Sequence, residues 1–169
     1  MSAEQHPSLI VVDVTVDEGV DIAPDALVAD AEAALRGLGL LNAELSLVLT
    51  DDPRIAALNG QWRNKPEPTD VLSFPQRDAG APATGASDLL GDVVISVNTA
   101  ARQAAELGHS LETELRVLLV HGLCHLLGHD HLTDEERREM QALEGRILGM
   151  LAHDVAPPSL IARAHADDV

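Results

Sequence analysis

The sequence is poor in aromatic residues, cysteine and basic side chains. It has one Trp, one Phe and no Tyr, so its core must consist of aliphatic side chains. A single cysteine excludes a disulfide framework and is typical of a reducing compartment. The amino-terminal residues do not resemble a signal peptide, and no apolar run approaches the roughly 20 residues of a membrane span. We therefore predict a soluble cytoplasmic protein.

The shortage of basic residues gives a formal net charge of −17 at pH 7. Taken alone, this charge argues against a nucleic-acid partner, because binding to phosphates normally requires a basic surface. The charge is uneven, however, and residues 53–77 contain four cations: Arg54, Arg63, Lys65 and Arg77. We expect nucleic-acid binding only if these four cations meet on one face or if a protein partner brings the substrate.

The apolar pattern of the 169 residues predicts one α+β domain, residues 1–169, with about five helices and a mixed sheet of about four strands. Its loose termini are 1–7 and 156–169, and residues 78–88 are expected to form a mobile loop. Strands are predicted at 9–16, 44–50, 70–74 and 90–97. Helices are predicted at 24–38, 52–58, 98–107 with Asn98 as its cap, 110–127 and about 133–151.

Four histidines lie within the segment HGLCHLLGHDH, residues 121–131, in the most apolar predicted helix. His121 and His125 are one turn apart, so both imidazoles point the same way, as in helices that bind a transition metal. Gly128 stands where a left-handed turn would end the helix and return His131 to the same place. Three imidazoles leave the fourth position of a tetrahedral zinc open, as in catalytic sites. We predict that these three histidines bind one Zn²⁺ or a similar divalent metal; the alternative is ordinary histidines.

Two neighbours of these histidines, Cys124 and Asp130, have two interpretations each. Cys124 is either a thiolate ligand or, as is more usual for a free cysteine, a buried core residue. Asp130 is either a surface carboxylate or a group that orients a ligand imidazole. His129 points elsewhere on the turn and is expected to be exposed.

The spacing of the three histidines also occurs in the metzincin peptidases, whose motif is HExxHxxGxxH. The Glu of that motif is the general base that takes a proton from water. Gly122 occupies its place in this chain, so a peptidase of that kind would lack its base on the helix. Hydrolysis of a peptide stays open as the alternative to another metal-dependent hydrolysis.

Two longer motifs resemble one family. HGLCHLLGHDH is similar to the HGxLHLxGYDH signature of the YbeY endoribonucleases, and LNGQWRNKPEPTDVLSFP, residues 58–75, is similar to their segment LN…YR…K…PTDVLSFP. LGDVVIS at 90–96 and GHS at 108–110 match in the same order, so the resemblance covers about residues 9–151. The chain departs from the usual pattern at Trp62 and His129, where Tyr is usual, and at Pro66–Glu67, where the family is often more basic.

The resemblance implies a zinc-dependent, single-strand-specific endoribonuclease of ribosomal RNA maturation, at the 3′ end of the small-subunit RNA, and of ribosome quality control. It implies ribosomal RNA as substrate, ribosomal proteins or a ribosome-associated GTPase as candidate partners, and neither DNA nor a membrane. The alternative of another class is a non-catalytic ribosome-associated factor whose metal stabilises the fold.

The family's site residues correspond to four residues of this chain. His121, His125 and His131 are implied to be the metal ligands and part of the catalytic site, and Arg63 corresponds to the family's important arginine. A planar guanidinium matches two phosphate oxygens; the alternative is a surface salt bridge. Trp62 is a candidate for stacking on a base or for a core position. By resemblance alone, the cleft is lined by Thr69, Asp70 and Ser73.

Overall fold

The computed structural model describes residues 9–76 and 88–151. The strands are β1 (Val11–Val16), β2 (Ala43–Thr50), β3 (Val71–Pro75) and β4 (Asp88–Ser96). The helices are α1 (Asp25–Gly37), α2 (Asp52–Arg63), α3 (Val97–Leu107), α4 (Leu111–Leu126) and α5 (Asp134–Leu151). The predicted α+β class, with four strands and five helices, is confirmed. The predicted loose termini, 1–7 and 156–169, and the predicted mobile loop up to residue 87 lie outside the described residues.

The four strands form one mixed sheet in the order β1-β2-β4-β3. β1 pairs with β2 and β2 with β4 in parallel, whereas β3 pairs with β4 in antiparallel orientation at the edge of the sheet. Ser73 lies opposite Val93, and Leu72 lies opposite Val94. Because successive side chains of a strand point to opposite faces, the first pair lies on one face of the sheet and the second pair on the other.

The two faces of the sheet carry cores of different size. The main core lies between the sheet and the helices α1, α3, α4 and α5, and its sheet residues include Leu45, Leu47, Leu49, Val93 and Ile95. On the other face, α2 covers a smaller cluster of Ile55, Leu72 and Val94, against which Phe74 packs. No buried apolar side chain among the described residues is aromatic, so the predicted aliphatic core is confirmed. Within residues 9–76 and 88–151, no helix combines the length and apolar character needed to cross a membrane.

The prediction that α2 ends at Leu58 is wrong, since the helix continues to Arg63. Gly60 lies within this helix. Pro66 packs closely over it, and an added Cβ would lie 3.1 Å from the Pro66 Cβ. Asn64, which follows Arg63 and has a left-handed φ of 58°, caps the end of the helix. The five extra residues include Trp62 and Arg63, so this error in the boundary concerns the candidate site directly.

The predicted cap of α3 is also wrong. Ser96, rather than Asn98, begins the helix, and its Oγ accepts the backbone N–H of Thr99 at 3.3 Å. Asn98 lies in the first turn, and its Oδ1 accepts the backbone N–H of Asp52 at 2.9 Å. Asn98 therefore satisfies a free backbone donor in the first turn of α2 and fixes the start of α2 beside the start of α3.

Candidate metal centre

Helix α4 carries two of the three histidines into the main core. Ser110 begins it, and its Oγ accepts the backbone N–H of Thr113 at 3.1 Å, which satisfies a free donor of the first turn. At the other end, Gly128 has the predicted left-handed conformation, with a φ of 94°. The backbone N–H of His129 then donates to the carbonyl of Cys124 at 3.0 Å. This closed turn reverses the chain and brings His131 beside α4.

The structure brings His121, His125 and His131 together as predicted. One ring nitrogen of each lies within 4.8 Å of those of the other two. The Nε2 atoms of His121 and His125 are 3.2 Å apart. Two imidazole nitrogens held by a tetrahedral zinc at about 2.0–2.1 Å are about 3.3 Å apart, so this pair already has the spacing of two zinc ligands. The donor set and its spacing therefore fit a divalent transition metal.

The environment keeps the middle histidine of the cluster neutral. Burial, together with the neighbouring His121 and His131, lowers the pKa of His125 to about 4. At neutral pH its imidazole is therefore unprotonated and its lone pair is available to a metal.

A buried carboxylate that the sequence analysis missed contacts the centre. Glu144 of α5 has its Oε1 3.1 Å from Nδ1 of His121, and both residues are buried. An N–H at Nδ1 that donates to this carboxylate leaves Nε2 of His121 to face the metal. The sequence held one signal: Glu144 lies on the apolar stripe of Met140, Ile147 and Leu151, where a solvated carboxylate would not be placed.

Asp130, for which that orienting role was one of two interpretations, contacts the backbone. Its Oδ1 accepts the N–H of His131 at 2.8 Å and so stabilises the turn after α4. The prediction that His129 is exposed is wrong, because the closed turn leaves this residue half-buried. Cys124 is fully buried, and burial, together with the negative charge of Glu144, raises the pKa of its thiol. The prediction of a core cysteine is therefore confirmed.

A second pairing of His with Glu fixes the start of α4. Nε2 of His109 lies 2.6 Å from Oε1 of Glu114, which is fully buried. The sequence did not predict a buried Glu in this helix, which is the most apolar of the predicted helices. The pair ties the turn between α3 and α4 to the interior, which keeps the helix that carries the two histidines in place.

Strand β3 joins this centre to the segment around Arg63. Ser73 Oγ donates to the carbonyl of Gly122, between the two helical histidines, at 3.0 Å. The next residue, Phe74, lies on the opposite face of the sheet and contacts the ring of Trp62, with ring centroids 6.1 Å apart. Arg63 follows in the last turn of α2 and is exposed. The metal centre and the end of α2 therefore flank the same edge strand.

The two other residues expected to line a cleft do not lie on an open surface. Thr69 and Asp70 are only 4% and 7% exposed. The Asp70 carboxylate accepts the backbone N–H of Val71 at 2.8 Å and the Nε2–H of Gln103 at 3.3 Å. Its backbone carbonyl accepts the N–H of Ser96 at 2.9 Å. These contacts hold the start of β3 against β4 and α3, and Ser73 reaches α4.

Gly122 is packed so closely that any side chain there would force its neighbours to move. A Cβ built on it would lie 2.8 Å from Cγ1 of Val93 and 3.1 Å from Oγ of Ser73. A Glu at this position, as in the metzincin motif, would therefore need the sheet to move away from α4. The chain lacks both the peptidase base and the space for it.

The match to a family follows from the sequence comparisons. The family model described as Endoribonuclease YbeY matches residues 18–152, which include the three histidines, Glu144 and Arg63. The chain belongs to the endoribonuclease YbeY family. The Endoribonuclease YbeY of Aquifex aeolicus is 52% identical over 123 residues, 72% of this chain and 79% of that protein. The Endoribonuclease YbeY of Salinispora tropica is 42% identical over 146 residues, 81% of this chain and 93% of that protein.

A solved structure has the same fold as this YbeY-family chain. The solution structure of TM1509 from Thermotoga maritima superposes with a TM-score of 0.61 at 22% sequence identity. The alignment covers 83% of this chain and 89% of that chain. At this identity the likeness concerns the fold alone, and it agrees with the α+β architecture.

The four cations between residues 53 and 77 do not form the single patch considered from the sequence. Arg54 lies in the first turn of α2 and pairs with Asp17 and Asp51 at 3.9 and 3.5 Å. Arg63 is in the last turn, about 13 Å further along the helix axis. Arg77 lies outside the described residues. In residues 9–76 and 88–151, the ion pairs involve neither Arg63 nor Lys65, so these two cations are available to an anionic ligand.

The close packing of Gly122 in this YbeY-family chain gives a stability prediction. We expect Gly122→Ala to lower the free energy of unfolding by about 1–3 kcal/mol, because the new methyl overlaps the stiff side chain of Val93. In the double variant with Val93→Ala, the two losses should be less than additive, because the smaller residue makes room for the methyl. Urea unfolding of the four proteins measures this coupling.

Gly149→Ala is the matched control for this prediction. Gly149 is also helical, but a Cβ added to it meets nothing within 4 Å. We expect this variant to gain about 0.5–1 kcal/mol, because alanine is the better helix former. If both glycine variants are stabilised alike, close packing at Gly122 does not determine stability.

Proposed function

We propose that this chain is a zinc-dependent endoribonuclease that cleaves single-stranded ribosomal RNA, in maturation of the small-subunit 3′ end and in ribosome quality control. Membership of the family makes it an endoribonuclease, a hydrolase acting on RNA. The observation that supports the metal is the convergence of three imidazole nitrogens within 4.8 Å of one another. Imidazole ligands suit zinc, and they also suit copper, iron and nickel, so zinc is the proposed ion among these.

The side chains of the site have separable tasks. A divalent metal held by His121, His125 and His131 would supply polarisation of a phosphoryl oxygen and a hydroxide near neutral pH. Glu144 accepts a hydrogen bond from the Nδ1–H of His121 and keeps that ring in one tautomer and orientation. The guanidinium of Arg63 binds two oxygens of the scissile phosphate and stabilises the negative charge that grows there in the transition state.

The negative net charge of the chain affects how RNA reaches the site. At a net charge of −17, two available cations give little non-specific attraction for RNA. We therefore propose that a ribosomal protein or a ribosome-associated GTPase presents the RNA in the cytoplasm. The peptidase alternative is disfavoured because position 122 has no room for the Glu that such enzymes use.

A comparison of three substrates tests this function. The metal-loaded protein is incubated with a single-stranded RNA, the same RNA annealed to its complement, and casein. We expect cleavage of the single strand, slower cleavage of the duplex and no proteolysis. Turnover of casein without RNA cleavage would identify a peptidase. If chelation lowers the melting temperature while no substrate is cleaved, the metal is structural and the chain is a non-catalytic factor.

A further inference from the structure

The single tryptophan of the chain lies on the surface. Trp62 is 64% exposed, so the interpretation of this residue as a core residue is wrong. An indole is the largest apolar side chain, and exposing it forgoes most of the free energy that burial would give. A chain with so few aromatic residues exposes its only indole in the last turn of α2, beside Arg63.

The exposed indole is nevertheless held in place. Phe74 meets it in a T-shaped contact, with ring centroids 6.1 Å apart and planes at 63°. Phe74 itself packs against the cluster of Ile55, Leu72 and Val94 beneath α2. One edge of the indole is therefore anchored to the sheet through Phe74, while most of its surface stays open to a ligand.

The loop after the helix is also fixed, which limits motion of the whole helix end. The buried Asn59 donates from Nδ2 to the carbonyl of Glu67 at 3.0 Å, and its own carbonyl accepts the N–H of Lys65 at 3.2 Å. Pro66 packs over Gly60. A rigid aromatic surface loses little conformational entropy when a planar ligand stacks on it.

The charges around Trp62 indicate what kind of planar ligand fits. Arg63 is adjacent in sequence and Lys65 is two residues further on, and neither takes part in an ion pair with another described residue. An aromatic ring beside cations is the combination that binds single-stranded nucleic acid, because the ring stacks on a base while the cations bind the backbone phosphates. A single nucleotide offers both a base and a phosphate.

We propose that Trp62 stacks on one unpaired base of the RNA substrate while Arg63 binds the adjoining phosphate. This inference rests on the proposed function and adds a physical basis for its preference for single strands. In a duplex, both faces of a base are covered by its neighbours in the stack, so only an unpaired base can lie on the indole. Phe74 and Ser73 are adjacent on β3, so the strand that anchors the indole also contacts the helix of the metal centre.

Intrinsic fluorescence tests the stacking directly, because Trp62 is the only tryptophan and the chain has no tyrosine. The full chain, freed of metal to prevent cleavage, is titrated with a single-stranded oligoadenylate and with an abasic oligonucleotide of equal length. Binding is followed independently by the anisotropy of a dye on the oligonucleotide. We expect the oligoadenylate to quench the emission at saturation and the abasic strand to bind more weakly without quenching.

Variants separate stacking from simple proximity. Trp62→Ala should weaken oligoadenylate binding by about tenfold to a hundredfold, and Trp62→Phe should restore most of this loss. In the metal-loaded protein, Trp62→Ala should raise KM by a similar factor and leave kcat nearly unchanged. Leu41→Ala, which shortens another exposed apolar side chain, is the control and should bind as the wild type does.

The outcomes distinguish this inference from the proposed function. Unchanged emission at saturation, or wild-type affinity in Trp62→Ala, overturns the stacking even if the protein cleaves RNA. Quenching with no cleavage by the metal-loaded protein supports the stacking and overturns the function. A protein that binds neither oligonucleotide overturns the stacking, whereas the function is tested separately by the cleavage of single-stranded RNA.

Discussion

The His121→Ala protein is expected to lose both stoichiometric metal binding and RNA cleavage. His121 is the most buried of the three histidines, and its Nε2 lies 3.2 Å from that of His125, so its removal takes away one of the two best-placed ligands. Two remaining imidazoles do not fix a tetrahedral ion with an open position. Metal content after extensive dialysis, together with the initial rate of cleavage, measures this loss.

Two further variants make the metal-binding test specific. Glu144→Gln keeps the size of the side chain that contacts His121 and removes its charge, so we expect metal affinity to fall by about 10–100-fold rather than completely. His129→Ala removes the fourth histidine of the same segment, which lies outside the cluster, and should keep the metal. If His121→Ala retains one equivalent of metal, or if His129→Ala loses it, the assignment of the ligands is wrong.

Arg63→Ala should keep the metal and the fold but lose most of the cleavage activity. Because Arg63 is exposed and is not part of an ion pair with any described residue, we expect the free energy of unfolding to change by less than about 0.5 kcal/mol. Loss of a group that stabilises transition-state charge typically lowers kcat by about 10²–10³-fold. Rate measurements at saturating RNA test this expectation.

A second arginine of the same helix serves as the control. Arg54 lies at the opposite end of α2 and pairs with Asp17 and Asp51, so Arg54→Ala should leave cleavage unchanged. Arg63→Lys should recover part of the rate, because lysine keeps the charge without the two-pronged geometry of a guanidinium. Equal losses in Arg54→Ala and Arg63→Ala would contradict a specific role for Arg63.

Local sequence patterns predicted many features of the fold because those features depend on local backbone geometry. The one-turn spacing of His121 and His125 and the left-handed position of Gly128 depend only on helix periodicity and backbone sterics, and both were predicted correctly. The order of strands and helices also follows from periodicity along the chain. The three histidines could therefore be placed together before any tertiary contact was known.

What could not be predicted depends on contacts between distant elements. Glu144 reaches His121 only because α5 packs against α4, and no local pattern determines that packing. The four neighbouring cations suggested one patch, but a helix separates Arg54 from Arg63 along its axis. From the sequence, Trp62 could be a core residue or a surface residue, and the position of α2 over Phe74 determines which of the two it is.

The central claim is that one metal ion at the histidine cluster supports RNA cleavage, and a metal titration tests it most directly. Zn²⁺ is added in steps to the chelator-treated wild-type protein while the rate of single-stranded RNA cleavage is measured. We expect negligible cleavage without metal, full recovery at one equivalent, and no recovery in His121→Ala at any amount. Cleavage by the metal-free protein at the wild-type rate, or equal recovery in His121→Ala, would contradict the account.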